Sequence, residues 1–415
     1  MITNLLRLLF TRSLKPFIFT KDGTGELNME VPELGIYVHI PFCTTLCPFC
    51  PYNKIKYDRA LAAAYKDALI KEIYMAGALN NKKVKITSVY LGGGSPALML
   101  DELPDVLTGI RNNFNIESNI GIELHPRDVN EGALLKLKNM GFDMVSIGIQ
   151  SFEEKSLSTL GREYIDGASK VKMAAAAGFT TIDVDLMFGI KGQTKEDLKN
   201  DFITAFTSGA TQVSTYPFID FSYADNKSKP LGKKQKKELL RYLEKVSEEF
   251  DCVRTAVWTF GKRDVAKYSS VTRDNFIGFG PSATSLLKDF FKINTFSVEE
   301  YIKSINDGKI PTALTLNFTK RTRGLYWLFW NSYTLKINRD NFKKLFHREL
   351  EDLFKFELWL GVFMRLIRKT KEGYELTEKG TYKYHLVEQA YTHQYIDKTW
   401  SIARAEPWPN NIKLY

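Results

Sequence analysis

"MVSIGIQSFEEKSLSTLGREYIDGASKVKMAAAAGFTTIDVDLMF", residues 144–188, holds two β-rich runs, MVSIGI (144–149) and TIDVDLMF (181–188), with the helical pattern GASKVKMAAAAG between them. Strand, helix and strand in that order specify a parallel pair joined by a right-handed crossover. The unit repeats outward. Upstream lie GIYVHI (35–40), ITSVYL (86–91) and IGIEL (120–124); downstream lie QVSTYPF (212–218) and VRTAVWTF (253–260). The segments between them, among them DRALAAAYKDALIKEIYMAGA and TKEDLKNDFITAFTSG, carry helical patterns. Six such repeats predict an α/β fold, a parallel sheet curled toward a barrel.

In folds of this kind the chemistry gathers at the carboxyl ends of the strands. Here a cysteine-rich loop follows the first strand and GGGSP (92–96) the second; Glu123 ends the third, Gln150 the fourth, and Asp185 lies in the fifth. A glycine run after a strand is most often a turn, and a strand-end glutamate is most often solvated. Their recurrence at one end of the sheet marks a site.

The loop, IPFCTTLCPFCPYNK (40–54), carries Cys43, Cys47 and Cys50 as C-x3-C-x2-C. A structural zinc site usually takes four ligands, and a redox C-x-x-C pair would leave one thiol spare. A 4Fe-4S cube has four irons with cysteine thiolates as its usual ligands, so three cysteines leave one iron open to chelate a cofactor through an amine and a carboxylate. The fourth cysteine, Cys252, has no thiol near it in sequence and reads as an inert buried residue. Three of four cysteines packed into eight residues argue against a secreted disulfide framework and for the cytoplasm.

A formal charge of +10 fits an anionic partner: nucleic acid, an acidic membrane surface or a small polyacid. Much of the excess sits in KSKPLGKKQKKELLRYLEK (227–245), whose later part reads as the solvated face of a helix. With no zinc finger or aromatic RNA-binding signature beside it, no nucleic-acid partner is expected. The first twenty residues, MITNLLRLLFTRSLKPFIFT, contain no acid, and their apolar run is broken by Arg7, Arg12 and Lys15. That segment is too short and too charged to span a bilayer. It reads as an extension, residues 1–33, packed on the main domain, with peripheral membrane contact as the alternative.

After residue 290 the pattern changes to helices with a short hairpin around RKTKEGYELTEKG, which predicts a smaller, mainly helical, winged-helix-like domain over 291–415, acting as a lid or substrate wall. The tail SIARAEPWPNNIKLY (401–415) shows no regular pattern.

Six ordered blocks carry a family resemblance: IYVHIPFCTTLCPFC, LGGGSP, IELHPRDV, VSIGIQSFEEKSLSTLGR, GFTTIDVDLMFGIKGQT and NFIGFGPSATS. With them the chain resembles the radical S-adenosylmethionine enzymes, and most closely the oxygen-independent coproporphyrinogen III oxidase subgroup with its heme chaperone and radical methylase relatives. The resemblance implies a partial (β/α)6 TIM-like barrel over 34–290. It implies that Cys43, Cys47 and Cys50 hold a 4Fe-4S cluster, that Phe49 packs beside the adenine of S-adenosylmethionine, and that Tyr37 lies along that cofactor. Gly93 and Gly94 would let the backbone approach its methionine portion, and Ser95 keeps a hydroxyl where the family usually has threonine. Glu123 would bind the ribose, while Gln150, Arg162 and Asp185 match residues that contact a second S-adenosylmethionine in the oxidase.

The implied reaction passes an electron from the cluster to the sulfonium and forms a 5′-deoxyadenosyl radical that takes hydrogen from a tetrapyrrole-like substrate, with flavodoxin or ferredoxin as electron donor. Arginines and lysines facing the cavity would bind a polycarboxylate. Methyl transfer, or heme carriage without turnover, are the alternatives. Tyr52 stands where the oxidase has a further cysteine, and Thr284 where it has a hydrophobic residue bordering the cofactor. His39 sits either against the cluster loop or as a buried sheet histidine; His125 reads as a loop residue, and Tyr216 either lines the site or belongs to the core.

Overall fold

The computed structural model of the protein describes residues 2–21, 27, 29–80, 84–116, 119–250, 252–267 and 274–415. Its frame is a run of parallel strands: β1 (Glu33–Ile40), β2 (Lys85–Gly93), β3 (Ile120–Leu124), β4 (Met144–Gln150), β5 (Thr181–Phe188) and β6 (Gln212–Pro217), each paired with the next. Helices α1 (Arg59–Ala78), α2 (Leu103–Asn113), α3 (Glu131–Met140), α4 (Gly167–Ala176), α5 (Lys195–Thr207) and α6 (Lys233–Glu248) follow the strands in turn. The crossovers start and stop where local chemistry says they should. Asp58 caps α1, Asn130 caps α3, Thr194 and Asp197 form a capping box on α5, and α3 closes on Gly141 at φ +94°. Seven of the eight residues of β5 are buried, as expected of a strand covered on both faces.

The sheet continues beyond this frame at both edges. On the far side of β1 a seventh parallel strand, β7 (Phe276–Phe279), is followed by antiparallel Thr284–Leu287, Phe290–Asn294 and Thr312–Asn317. Phe17–Lys21 pairs with Thr312–Asn317, and Ile412–Leu414 pairs with Phe17–Phe19. Among the described residues the pairings join fourteen strands into one mixed sheet. Residues 1–33 thus supply a strand to it, and the boundary expected at 290 falls on the first residue of a strand within it.

Three readings of the sequence need correction. VRTAVWTF (253–260) is not one strand but an antiparallel hairpin of Cys252–Ala256 and Thr259–Lys262, the latter antiparallel to β6. The turn is held without Gly or Pro. Val257 N–H donates to the Tyr333 carbonyl (2.9 Å), the Trp258 carbonyl accepts from Thr215 N–H (2.7 Å), and the Trp258 indole donates to His385 Nδ1 (2.9 Å). The tail is also ordered, with Ser401–Ala405 completing helix Asp397–Ala405 and Ile412–Leu414 forming the edge strand. In α6 most lysines are exposed, but Lys236 is buried and donates to the Phe218 carbonyl (2.5 Å).

The winged-helix-like arrangement is present. Helices Lys320–Tyr333, Arg339–Phe346 and Leu350–Phe363 pack around Trp327, Phe342 and Phe354, beside a small antiparallel sheet of Lys336–Asn338, Gly373–Leu376 and Ile367–Lys369. Helix Glu378–Tyr391 follows it. Among the described residues no helix is long and apolar enough to cross a membrane.

Candidate active site

The cysteine loop leaves β1 at Ile40 and is tied off at its base. Phe42–Cys43 pairs in parallel with Ile55–Lys56, Ile55 N–H donates to the Pro41 carbonyl (2.7 Å), and Tyr57 N–H donates to the Cys43 carbonyl (2.9 Å). Its far side is pinned from distant parts of the chain. Arg404, in the last helix, donates to the Pro51 carbonyl (2.7 Å) and lies over the rings of Tyr223 and Phe296; the Tyr223 hydroxyl donates to the same carbonyl (3.3 Å). Cys43, Cys47 and Cys50 are unbridged and half-buried. Burial, with Cys50 and Cys47 nearby, pushes the Cys43 thiol up to about 12, and burial raises Cys50 as well. Phe49 is buried with Leu160, Met187, Ile190 and Phe218, against Cys47 and Cys50.

Glycine is required at the end of β2 because the chain's own groups fill the space. A Cβ on Gly92 would lie 2.6 Å from the Glu123 carboxyl carbon, and one on Gly94 would lie 2.4 Å from the Phe42 carbonyl oxygen. Gly93 has φ +113°, and its N–H donates to Glu123 Oε2 (3.0 Å). Burial raises the Glu123 carboxyl against that single donor. The buried Ser95 hydroxyl donates to Asp128, whose carboxyl burial also raises.

On β1 the side chains form a relay. The Tyr37 hydroxyl bonds His39 Nδ1 (3.0 Å), His39 Nε2 bonds the Asn53 carbonyl (2.8 Å), and the Asn53 amide donates to the Phe296 carbonyl (2.8 Å). A carbonyl only accepts, so Nε2 carries the proton and Nδ1 accepts from the tyrosine. Burial lowers His39 to about 4 and keeps it neutral.

Gln150 closes β4 at φ +72°, a conformation uncommon for a residue with a side chain. The turn after it is anchored by buried Asp201, which accepts from Ser151 Oγ (2.8 Å) and Phe152 N–H (2.6 Å). On β5, Asp183 and Asp185 share one face. Ser146 donates to Asp185 (3.0 Å), Ser214 donates to Asp183 (3.0 Å), and Asp185 is raised well above the usual carboxylate range by burial, then by Asp183 and Glu123. Burial lowers Arg162, opposed by the charges of Cys47, Cys50 and Asp185.

The structure therefore brings Arg162 to the cysteines and Asp185, and Asp185 toward Glu123. A cavity of about 360 Å³ opens beside them, with Tyr37, Tyr52, Glu123 and Thr284 in its wall and Tyr391, Tyr395 and Trp400 closing it from the C-terminal helices. Gln150, Arg162 and Asp185 are not part of that wall. Nor, among the described residues, is any lysine or arginine, contrary to the cationic lining expected for a polycarboxylate. His125 accepts from Arg127 N–H (3.1 Å) as a loop residue, Tyr216 is 40% exposed, and Cys252 is buried in the core. Sequence reading missed Gly92, Asp128 and Arg404. Asp128 lies in the quoted block IELHPRDV, but its partner is 33 residues away; Arg404 had no local signal.

The family model described as the Radical SAM superfamily matches residues 37–203. The chain is 26% identical over 365 residues to the heme chaperone HemW of Bacillus subtilis, covering 83% of this chain and 95% of that one. It is 24% identical over 327 residues to the oxygen-independent coproporphyrinogen III oxidase of Pseudomonas aeruginosa, covering 70% of each. The solved coproporphyrinogen III oxidase of Escherichia coli superposes with a TM-score of 0.76 at 21% identity, over 92% of this chain and 97% of that one. Members of the superfamily bind a 4Fe-4S cluster and S-adenosylmethionine. Residues 37–203 thus carry a Radical SAM superfamily domain, in a chain whose relatives are oxygen-independent coproporphyrinogen III oxidases and heme chaperones.

Proposed function

We propose that the protein is a cytoplasmic radical S-adenosylmethionine enzyme acting on a tetrapyrrole-like substrate, in which Cys43, Cys47 and Cys50 would hold a 4Fe-4S cluster with one iron left free for the cofactor. One observation carries this reading: three unbridged thiols on one loop at the carboxyl end of a parallel sheet, with Arg162 and Asp185 within electrostatic reach. The donor set fits. Burial and mutual repulsion raise Cys43, so a thiolate there needs a nearby cation, which iron supplies.

When bound, the cluster supplies the electron that breaks a carbon–sulfur bond of the sulfonium. The chain's own residues bind and orient. Glu123 has one oxygen on Gly93 N–H and the other for the ribose hydroxyls. Gly93 and Gly94, whose missing Cβ atoms leave room for the His39 ring and the Phe42 carbonyl, would shape the turn that meets the methionine portion, with Ser95 beside them. Tyr37, oriented by His39, would lie along the cofactor, and Phe49 would contribute an apolar edge near the adenine. Gln150, Arg162 and Asp185 are the candidates for a second S-adenosylmethionine, which would open methyl transfer beside oxidation. The aromatic wall of the cavity and the helices over it would limit the access of water to the reacting groups. A flavodoxin or ferredoxin supplies electrons.

Heme carriage without turnover is the second reading, favoured by the 95% coverage of the Bacillus subtilis chaperone against 70% of the oxidase. Anaerobic reconstitution, followed by dithionite and S-adenosylmethionine with coproporphyrinogen III or heme, separates the two. Tetrapyrrole-dependent release of 5′-deoxyadenosine is expected; tight heme uptake with no cleavage supports the chaperone. Iron retained after replacing Cys43, Cys47 and Cys50 by Ala sinks both.

A further inference from the structure

Helix Leu350–Phe363 of the winged-helix-like region buries one face only. Leu350, Phe354 and Leu358 pack inward, and Glu357 is buried among them with Arg321 and Arg12 as its ion-pair partners. Phe356, Trp359 and Phe363 stand on the opposite face at i, i+3 and i+7, exposed by 47%, 57% and 72%. Their rings stack in water: Phe356 and Trp359 have centroids 5.9 Å apart at 30°, and Trp359 and Phe363 are 5.5 Å apart at 12°. Val362 and Met364 are exposed beside them. A contiguous apolar stripe of this kind marks an interaction surface.

Charge identifies the occupant. Between residues 355 and 375 the cations are Lys355, Arg365, Arg368, Lys369 and Lys371, against the acids Glu357, which is buried and paired, Glu372, and Glu375, which pairs with Arg368 (2.9 Å), so Lys355, Arg365, Lys369 and Lys371 leave the face positively charged. A second copy of this chain would set that cationic rim against itself in a two-fold contact. We propose that this face docks on an anionic lipid surface, the aromatic stripe entering the headgroup boundary and the wing cations meeting phosphates. In the N-terminal helix Ile2–Thr11, the sequence's own candidate for membrane contact, the cation Arg7 is buried, its guanidinium on the carbonyls of Ser13 and Lys15, while Leu5 is exposed. The docking face is independent of the proposed active site and uses none of its residues.

The full chain is tested by flotation with phosphatidylcholine vesicles prepared with and without phosphatidylglycerol. Binding is expected to the anionic vesicles, roughly tenfold or more above the neutral ones, and to fall with added salt. Trp359→Ser with Phe363→Ser should abolish it; Lys369→Glu with Lys371→Glu should weaken it roughly tenfold and serves if the first pair fails to fold. Equal binding to neutral vesicles overturns the proposal, as does undiminished flotation of both variants. So does a dimer in sedimentation that the aromatic substitutions dissolve, which would assign the face to a second copy.

Discussion

At the end of β2, neighbouring glycines serve the site in different ways. A methyl group at Gly92 would meet the Glu123 carboxyl, the flexible end of a side chain, and one at Gly94 would meet the Phe42 carbonyl, which is backbone tied into β1 and the cysteine loop. Gly92→Ala should therefore fold normally while displacing Glu123, with S-adenosylmethionine affinity down roughly tenfold, since a hydrogen bond to a charged group is lost. Gly94→Ala should lose about 1–3 kcal/mol of stability through overpacking. Melting curves and titration of the cofactor by calorimetry measure both, and a Gly92→Ala protein with unchanged affinity would remove Glu123 from the binding site. The glycine run and Glu123 were legible in the sequence, but only as a place for a ligand; that the chain's own carboxyl crowds Gly92 follows from strand register. Asp128 was unreadable for the same reason, because a lone acid after a strand looks solvated until its serine partner is known.

Elements of the C-terminal region carry buried acids that set a pH dependence. In helix Glu378–Tyr391, Glu388 accepts from Thr392 (2.9 Å) with one oxygen, while the other has no partner among the described residues. Burial lifts it from 4.5 to about 7. The folded state therefore binds more protons than the unfolded chain between those values, and stability falls as pH rises through that window. Asp183 and Asp201, also lifted to about 7 by burial, act with the same sign. Glu388→Gln removes one titration. Relative to wild type, that variant should gain on the order of 2 kcal/mol between pH 5 and pH 8, read from urea unfolding at each pH. A difference independent of pH would rule out burial of the charge as the cause. Such a group is invisible in sequence, where Glu388 is one acid in the mixed helical run HLVEQAYT (385–392).

The molecule as a whole is closed by its two ends, with Phe17–Lys21 and Ile412–Leu414 pairing at the edge of the sheet. Ile412 and Leu414 are buried, and Leu414 and Phe19 reach the cavity wall. Deleting residues 412–415 should cost about 3–5 kcal/mol, from the burial of two large apolar side chains, seen as a lower denaturant midpoint; an unchanged midpoint would show that the terminal strand is dispensable.

The run of β1 to β6 with its crossover helices, the cysteine loop and the polar strand ends could be read from local sequence, because hydrophobic period, caps and residue spacing act within a few residues of one another. The hairpin at Val257, the edge strands Phe17–Lys21 and Ile412–Leu414, the Arg404 clamp on the cysteine loop and the aromatic cavity came from the three-dimensional arrangement alone. Each of those depends on a partner far along the chain, and a three-residue strand or a single guanidinium leaves no periodic trace until the sheet has curled to bring that partner within reach.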